Sequence, residues 1–465
     1  MQATSAWSLQ RNGRSLVVPP TSSSHAAPLD GLRALAVLWV FTFHVLVVMP
    51  FFWGLDGEER EAYDAFVNSF LMGPVTLGDL GVDIFFILSG CLIMSILGKD
   101  MAPHISVDDG AQEKDREAAP LLGGNVQGDA LTTLPDGADP NQGRPQRSRL
   151  VRVVASFFVR RYARLMPAYG VALLYVVIKW AATGAAADSC VPGIWSNLLF
   201  VNNFIGGCMP WSWSIAIEWQ MYMVSPAVVW AALRYPRRAR LILGILAAFS
   251  MALYMGLTLR TFYTDADFEA TVYNMPYTRV FAYFFGMMVS VETTRRKQRN
   301  VALSDASAAT TRDRMVTCAL RVVAVAAVLL VVYDNGVSGS QAWRITKSVL
   351  ARPVFVASMA YLVYDALRPQ PDAYQRAVNW VLASRPLYII AQLSYCIYLY
   401  HLFFAEQVYR ILAEPLRNGD IVFVPQWMFP VMAVLMLICS VVASLVVYFV
   451  VEKPVNNLAA GFWRK

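Results

Sequence analysis

The stretch "LDGLRALAVLWVFTFHVL", Leu29 to Leu46, holds two side chains capable of chemistry in a setting where each is costly. Arg33 opens an apolar run long enough to cross a bilayer, and His44 stands eleven positions further on. At about 100° per residue the two return to nearly the same helix face, roughly 16 Å apart along the axis. A topology anchor at Arg33 and an interhelical hydrogen bond at His44 is the structural alternative. Ionisable groups inside a membrane are rare and expensive, which makes function the default explanation.

Other spans carry groups at a comparable depth. Counted inward from the cytosolic ends that the loop charges assign, Asp83, Glu218, Arg279, Arg352 and His401 lie about 14 or 15 residues in, and His44 about 11. Six groups of both signs at one level can neutralise each other around a polar cavity; facing lipid they would cost far more. Ser394, Tyr398 and His401 follow i, i+4, i+7 spacing, and Tyr222 is i+4 from Glu218. Simple packing with a satisfied hydroxyl explains Tyr222 and Tyr398 equally well. In "FFVRRYARLMPAY", residues 157–169, Arg160, Arg161 and Arg164 cluster just before a span. Such a cluster anchors topology, but guanidinium forks also match phosphate oxygens. Beside Arg33 at the same membrane face, a phosphorylated cytosolic ligand is the better account.

A cationic mouth with an imidazole one long arm deeper has the shape of acyl-coenzyme A, a charged nucleotide end joined by a thin arm to a thioester. Arg33, Arg160, Arg161 and Arg164 are expected to hold the donor. His44, kept neutral by burial, is expected to act as general base or acyl relay. Asp83 and Glu218 join Arg33 and His44 in the expected catalytic set. Tyr222, Arg279, Arg352, Tyr398 and His401 are expected to shape an acceptor cavity, with pairing to Asp83 or Glu218 as the alternative for the two arginines. No metal and no permanently bound cofactor is expected, acyl-CoA being a co-substrate.

The elements that must position these groups are membrane helices. The chain has 465 residues, 57% hydrophobic and only 15% charged, against about a quarter charged in soluble domains. Ten spans are predicted, at about 33–53, 75–97, 163–183, 211–233, 241–259, 277–294, 314–333, 345–367, 387–407 and 427–451. One set of loops is basic ("RYPRRAR", "TTRRKQR", "RPQPDAYQR"); the other is neutral or acidic ("GLDGEEREAYD", "DSCVPG", "TDADFEA", "YDNGVSG"). This bias places both termini in the cytosol, and it accounts for the net charge of +7 without nucleic acid. The first 28 residues lack the apolar core of a cleavable signal peptide, so the first span is expected to direct insertion.

The expected fold is therefore an all-α polytopic membrane protein, about ten transmembrane helices around an intramembrane polar cavity. A cytosolic tail covers 1–28, the transmembrane domain 29–455 and a second tail 456–465. A segment at about 99–150, rich in Pro, Gly, Asp and Gln, is expected to be a disordered cytosolic loop with His104 solvated. No internal repeat and no appended soluble catalytic domain is evident. Cys91, Cys318, Cys396 and Cys439 fall in apolar spans and suit packing. Cys190 and Cys208 share one polar loop on the non-cytosolic side, where a disulfide and two free thiols both stay open.

Six motifs in order, "LDGLRALAVLWVFTFH", "GVDIFFILSGCLI", "RRYARLMPAY", "WSWSIAIEWQMYMVSP", "LSYCIYLYH" and "VEKP", resemble the acyltransferase-3 family of membrane acyltransferases, from about Leu29 to Pro454. The resemblance implies ten core spans, cytosolic acyl-CoA, and transfer to a hydroxyl of a sugar or lipid. It also implies that His44 and Arg33 are required and that Arg161 and Arg164 contact the donor. "NLLFVNNFIGGCMPWSWSIAIEWQMY" and "YNMPYTRVFAYFFGM" are similar to the eukaryotic nose-resistant-to-fluoxetine branch, without its long cysteine-rich amino-terminal domain. The expected function is an integral-membrane O-acyltransferase, acetyl being the expected group. The alternative is a polytopic transporter using the intramembrane charges as a substrate or proton relay, and a third reading is a receptor with a degenerate site.

Overall fold

The computed structural model describes residues 7–20, 27–105, 146–183, 190–302, 311–334, 340–413 and 424–462. Among them there are helices and no strand. Taking helices of nine residues or more in chain order, α1 is Leu9–Val17, α2 Ala27–Trp53, α3 Gly57–Val67, α4 Leu80–Met101 and α5 Gln146–Thr183. Then come α6 Cys190–Leu198, α7 Trp213–Arg234, α8 Ala239–Thr261, α9 Pro276–Ala302 and α10 Thr311–Tyr333. The last five are α11 Gln341–Ala366, α12 Ala373–Leu382, α13 Arg385–Tyr400, α14 Pro425–Val447 and α15 Lys453–Phe462.

Seven of them, α2, α4, α8, α10, α11, α13 and α14, belong to stretches long and apolar enough to cross a membrane, and the chain is a multi-pass membrane protein. The other three expected spans fall on α5, α7 and α9, of 38, 22 and 27 residues, which are outside that seven. These helices carry Arg161 and Arg164, Glu218, and Arg279. By length and apolarity alone seven helices qualify as spans among the described residues, and the three left over carry Arg161 and Arg164, Glu218 and Arg279, whereas Arg33, Asp83 and Arg352 lie on three of the seven.

Two glycines explain why α4 and α9 lie in backbone contact. A Cβ on Gly90 would strike the Tyr283 carbonyl, and one on Gly286 would strike that of Ile87. Lipid tails give apolar helix faces little reason to associate, so close small-residue packing has to do it. On its other side α4 meets α2, where a Cβ on Gly81 would sit 2.8 Å from the Ala36 carbonyl and from Val40 Cγ2. Helix α4 is consequently the most enclosed of the seven, and side chains along it face α2, α7, α9 and α11.

Helix ends set the positions of other groups. After Tyr400, α13 tightens into a 3₁₀ turn, His401–Phe404, and α14 widens into a π turn, Tyr448–Glu452; such departures from α geometry re-aim side chains. Within the expected amino-terminal tail, α1 is an ordered helix whose Asn12 and Leu16 are buried. The Tyr388 hydroxyl donates to the Ser15 carbonyl at 3.1 Å, and Asn457 Nδ2 donates to Asn12 Oδ1 at 3.0 Å. The loop expected to be disordered over about 99–150 is helical at both ends, since Lys99–Met101 completes α4 and Gln146–Leu150 opens α5. Between them, 106–145 lies outside the described residues. His104 is half-buried in a 3₁₀ turn rather than fully solvated.

Replacing Gly286 by leucine is expected to lower the melting temperature in detergent, overpacking costing about 1–3 kcal/mol or more. Gly244→Leu on α8, where nothing lies within 4 Å of the added Cβ, should melt near wild type. Scanning fluorimetry of the two purified variants reads the contrast.

Candidate functional site

The residues expected at one level form three separate groups. The first lines a narrow cleft of about 90 Å³ between α2, α4, α5, α7 and α13. Arg33, Arg161 and Arg164 supply its positive charge, and Ser89, Ser214, Glu218, Tyr222, Ser394 and Tyr398 its other polar groups. Glu218 accepts hydrogen bonds from Ser89 Oγ at 2.8 Å and from the Tyr222 hydroxyl at 2.5 Å. The Arg161 guanidinium lies 5.6 Å from the centroids of both the Phe157 and Tyr222 rings, a cation–π setting that fixes the fork without using its donors. Arg33 pairs with Asp30 at 3.2 Å, one turn back on α2. Arg160 points away from the cleft, donating to Ser156 Oγ at 2.7 Å and Asp100 Oδ2 at 2.9 Å. One position along a helix turns the side chain by about 100°, which is why Arg160 leaves the set that Arg161 and Arg164 share.

The second group is a pair of imidazoles. The ring centroids of His44 and His401 are 4.7 Å apart. His44 Nδ1 is 2.9 Å from the Val40 carbonyl and His401 Nδ1 is 2.6 Å from the Tyr398 carbonyl. A carbonyl only accepts, so both Nδ1 atoms carry the hydrogen of a neutral imidazole and both Nε2 atoms are left with a free lone pair. His401 is buried and its Nε2 has no hydrogen-bond partner; His44 is half-buried. His44 does not line the cleft, whereas Ser214 and Tyr398 do. The Tyr398 hydroxyl donates to the Trp211 carbonyl at 2.8 Å and meets Ser214 Oγ at 2.6 Å. Its ring is 5.9 Å from His401. The cleft lining includes Tyr398 but neither His401 nor His44, so the cavity found does not by itself join the arginines to His44.

The third group is an ion cluster between α4, α9 and α11. Asp83, fully buried, accepts from Arg279 Nη1 at 3.3 Å and is bonded also by Arg352, whose other Nη reaches Asp79. Arg279 is completely buried, 4.3 Å from the Tyr273 ring centroid and 5.2 Å from that of Trp213. Asp83, expected among the catalytic residues, is thus engaged by two guanidinium groups, and Arg279 and Arg352 follow the ion-pair alternative. Asp79 was missed by sequence reasoning, although its i, i+4 relation to Asp83 in "GDLGVD" was a visible signal. Cys190 and Cys208 are joined by a disulfide that closes the α6 segment.

A model of the acyltransferase domain family matches residues 27–449. The chain belongs to that family. Acyl transfer is the reaction class of the family, and membership does not favour the transporter alternative. A similar curated protein is the peptidoglycan O-acetyltransferase OatA of Listeria monocytogenes, 23% identical over 275 residues. The match covers 56% of this chain and 33% of that relative, so the chain spans about a third of the length of the curated protein it matches. No solved structure matches.

Breaking a buried pair leaves an uncompensated charge and costs about 3–5 kcal/mol. Asp83→Ala is therefore expected to reduce folded yield and melting temperature sharply. Glu218→Gln, whose Ser89 and Tyr222 donors are neutral, should stay folded. Size-exclusion profiles and thermal melts of both variants decide between a structural and a purely chemical role for Asp83.

Proposed function

We propose that this chain is an integral-membrane O-acyltransferase moving an acyl group, acetyl in the first instance, from cytosolic acyl-CoA to a hydroxyl of a sugar or lipid. The observation that carries this reading is a chain of neighbours: Arg33, Arg161, Arg164 and Tyr398 line one cleft, the Tyr398 ring is 5.9 Å from His401, and His401 is 4.7 Å from His44. Orientation follows the loop charges, with both termini and the arginine end cytosolic. The three polar helices α5, α7 and α9 count as spans beside the seven apolar ones, giving ten. The domain organisation is then a transmembrane unit over 29–455 between short terminal segments. Motif likeness puts the chain near the nose-resistant-to-fluoxetine branch of the family.

In this reading the arginines bind the donor's phosphates and the narrow cleft admits its thin pantetheine arm. Tyr398 must swing from Ser214 and Trp211 for the thioester to reach the imidazoles. The acceptor hydroxyl gives its proton to His44 Nε2 as its oxygen bonds to the thioester carbon. The carbon–sulfur bond breaks, and the departing thiolate takes that proton back to leave as the thiol. His44 Nδ1, held on the Val40 carbonyl, keeps Nε2 available as the base. His401 Nε2 offers an acceptor that shares the proton while His44 is charged, a role within the reaction rather than in acceptor binding. Glu218 stays in the donor cleft, orienting Tyr222. The peptidoglycan acceptor named for the Listeria relative makes a sugar hydroxyl the first class to try.

His44→Ala is expected to fold and bind acetyl-CoA while losing about 10²–10⁴-fold in transfer, the usual contribution of a positioned base. Isothermal titration with single-turnover transfer checks it; wild-type-like turnover would remove His44 from the mechanism. Arg161→Ala and Arg164→Ala should weaken donor affinity by roughly tenfold or more each, charged hydrogen bonds being worth about 1.5–3 kcal/mol. The chemical step at saturating donor should slow less. Unchanged donor affinity in both variants would contradict the phosphate role.

A further inference from the structure

A larger pocket has a volume of about 430 Å³ and does not include Arg33 in its lining. It lies between the starts of α4 and α11 and the ends of α8 and α10, and is lined by Asp79, Tyr254, Phe262, Phe268, Arg344, Lys347 and Arg352 among others. The size falls within the roughly 300–1,000 Å³ of small-molecule sites. Under the proposed orientation it faces the non-cytosolic side.

Its cations are in unfavourable positions for stability alone. Helix α11 starts at Gln341 with Ser340 as its cap, so Arg344 and Lys347 occupy the first two turns, where the helix dipole disfavours positive charge. They also stand at the end that the positive-inside bias depletes of cations. Arg344, Lys347 and Arg352 all line the pocket. Arg352 is held by Asp79 and Asp83, and Lys347 has Asp334 only at 3.7 Å. Arg344 is exposed and, among the described residues, has no ion-pair partner. The same lining includes Phe262, which is exposed, and Phe268, both with apolar ring faces. Charge and aromatic faces in one lining suit a pyranose ring bearing an anion.

The pocket wall also touches the helix that holds His44. Gly78, between the lining residues Leu77 and Asp79, sits so close to α2 that a Cβ would lie 2.5 Å from the Trp39 carbonyl and 2.6 Å from Phe43 Cβ. The Phe43 ring meets His44 edge-on at 5.3 Å. We infer that this pocket is the acceptor subsite and that it selects saccharides carrying a carboxylate or phosphate group. The inference rests on the acyl-transfer reading for its role, but the binding can be measured without it.

The test uses the full chain in phosphatidylcholine nanodiscs, with saturation-transfer NMR of glucose, glucuronate and glucose 6-phosphate at low salt. Wild type should saturate one or both anionic sugars at least fivefold more strongly than glucose, the stronger of the two identifying carboxylate or phosphate. Arg344→Gln with Lys347→Gln should remove most of that difference while radiolabelled acetyl-CoA binding and the melting temperature stay as in wild type. Should the double variant fold poorly, Arg344→Gln alone, at an exposed position, should cut the anionic signal at least twofold. Equal signals from glucose and both anions, or an anionic signal unchanged in the folded variants, would overturn the proposal. If the anionic sugars bind as expected but acetyl-CoA does not bind wild type, the donor reading fails and the pocket stands as an anion-selective saccharide site.

Discussion

Two arginines share one buried carboxylate at the centre of this protein, and most of the architecture follows from keeping them together. Removing charge from water costs several kcal/mol per ion, repaid only when geometry and further hydrogen bonds are good. Here Asp83 meets Arg279 and Arg352, Asp79 takes the second side of Arg352, and the Tyr273 and Trp213 rings cover Arg279. No pair of helices alone could satisfy that set, so α4, α9 and α11 must converge. The glycine contacts at Gly90 and Gly286 permit the approach. Ser89, adjacent to Gly90 on α4, then faces Glu218 across the arginine cleft. One electrostatic requirement thereby fixes the wall on which the cleft is built.

The separation of the cleft from the histidine pair has a physical use in a membrane enzyme. An open passage from the arginines to His44 would admit water to a thioester and a base together. Tyr398, in the cleft lining, is held by hydrogen bonds to Ser214 and the Trp211 carbonyl, both outside its own helix. Those bonds are few and neutral, each worth about 0.5–1.5 kcal/mol net, so displacement by a ligand arm is within reach of ordinary binding energy. The 3₁₀ turn starting at His401 lies three residues further on, which couples the orientation of the second imidazole to the same helix end.

Much of the fold was legible because apolar length and loop charge report directly on membrane helices. The α2, α8, α11 and α14 boundaries lie within a few residues of the expected spans. The family was legible too, since six motifs in order leave little room for coincidence. Position along each helix was readable and direction was not. Counting residues from a helix end gives height along the membrane normal, so Asp83, Glu218, Arg279, Arg352 and His401 looked like one layer. Their rotation about each helix, and the helix neighbours they face, arise from packing between distant segments, and they separate into a cleft, an imidazole pair and an ion cluster. Arg160 shows the same limit at the scale of one residue. Helix α1 was hidden for another reason: its polar composition is that of a tail, and its order comes from Tyr388, Tyr448 and Asn457, partners more than 370 positions away.

The histidine pair also constrains how the reaction can be arranged. With both Nδ1 atoms committed to backbone carbonyls, two neutral imidazoles present each other with lone pairs and cannot hydrogen-bond until a proton arrives. In the proposed reaction a hydroxyl donates to His44 Nε2, with the second imidazole 4.7 Å away, centroid to centroid. A buried imidazolium bears a desolvation cost unless a neighbouring group shares its charge. That charge arises in the proposed reaction only as the hydroxyl loses its proton, so a group that shared it would act on the transition state and leave the ground state alone.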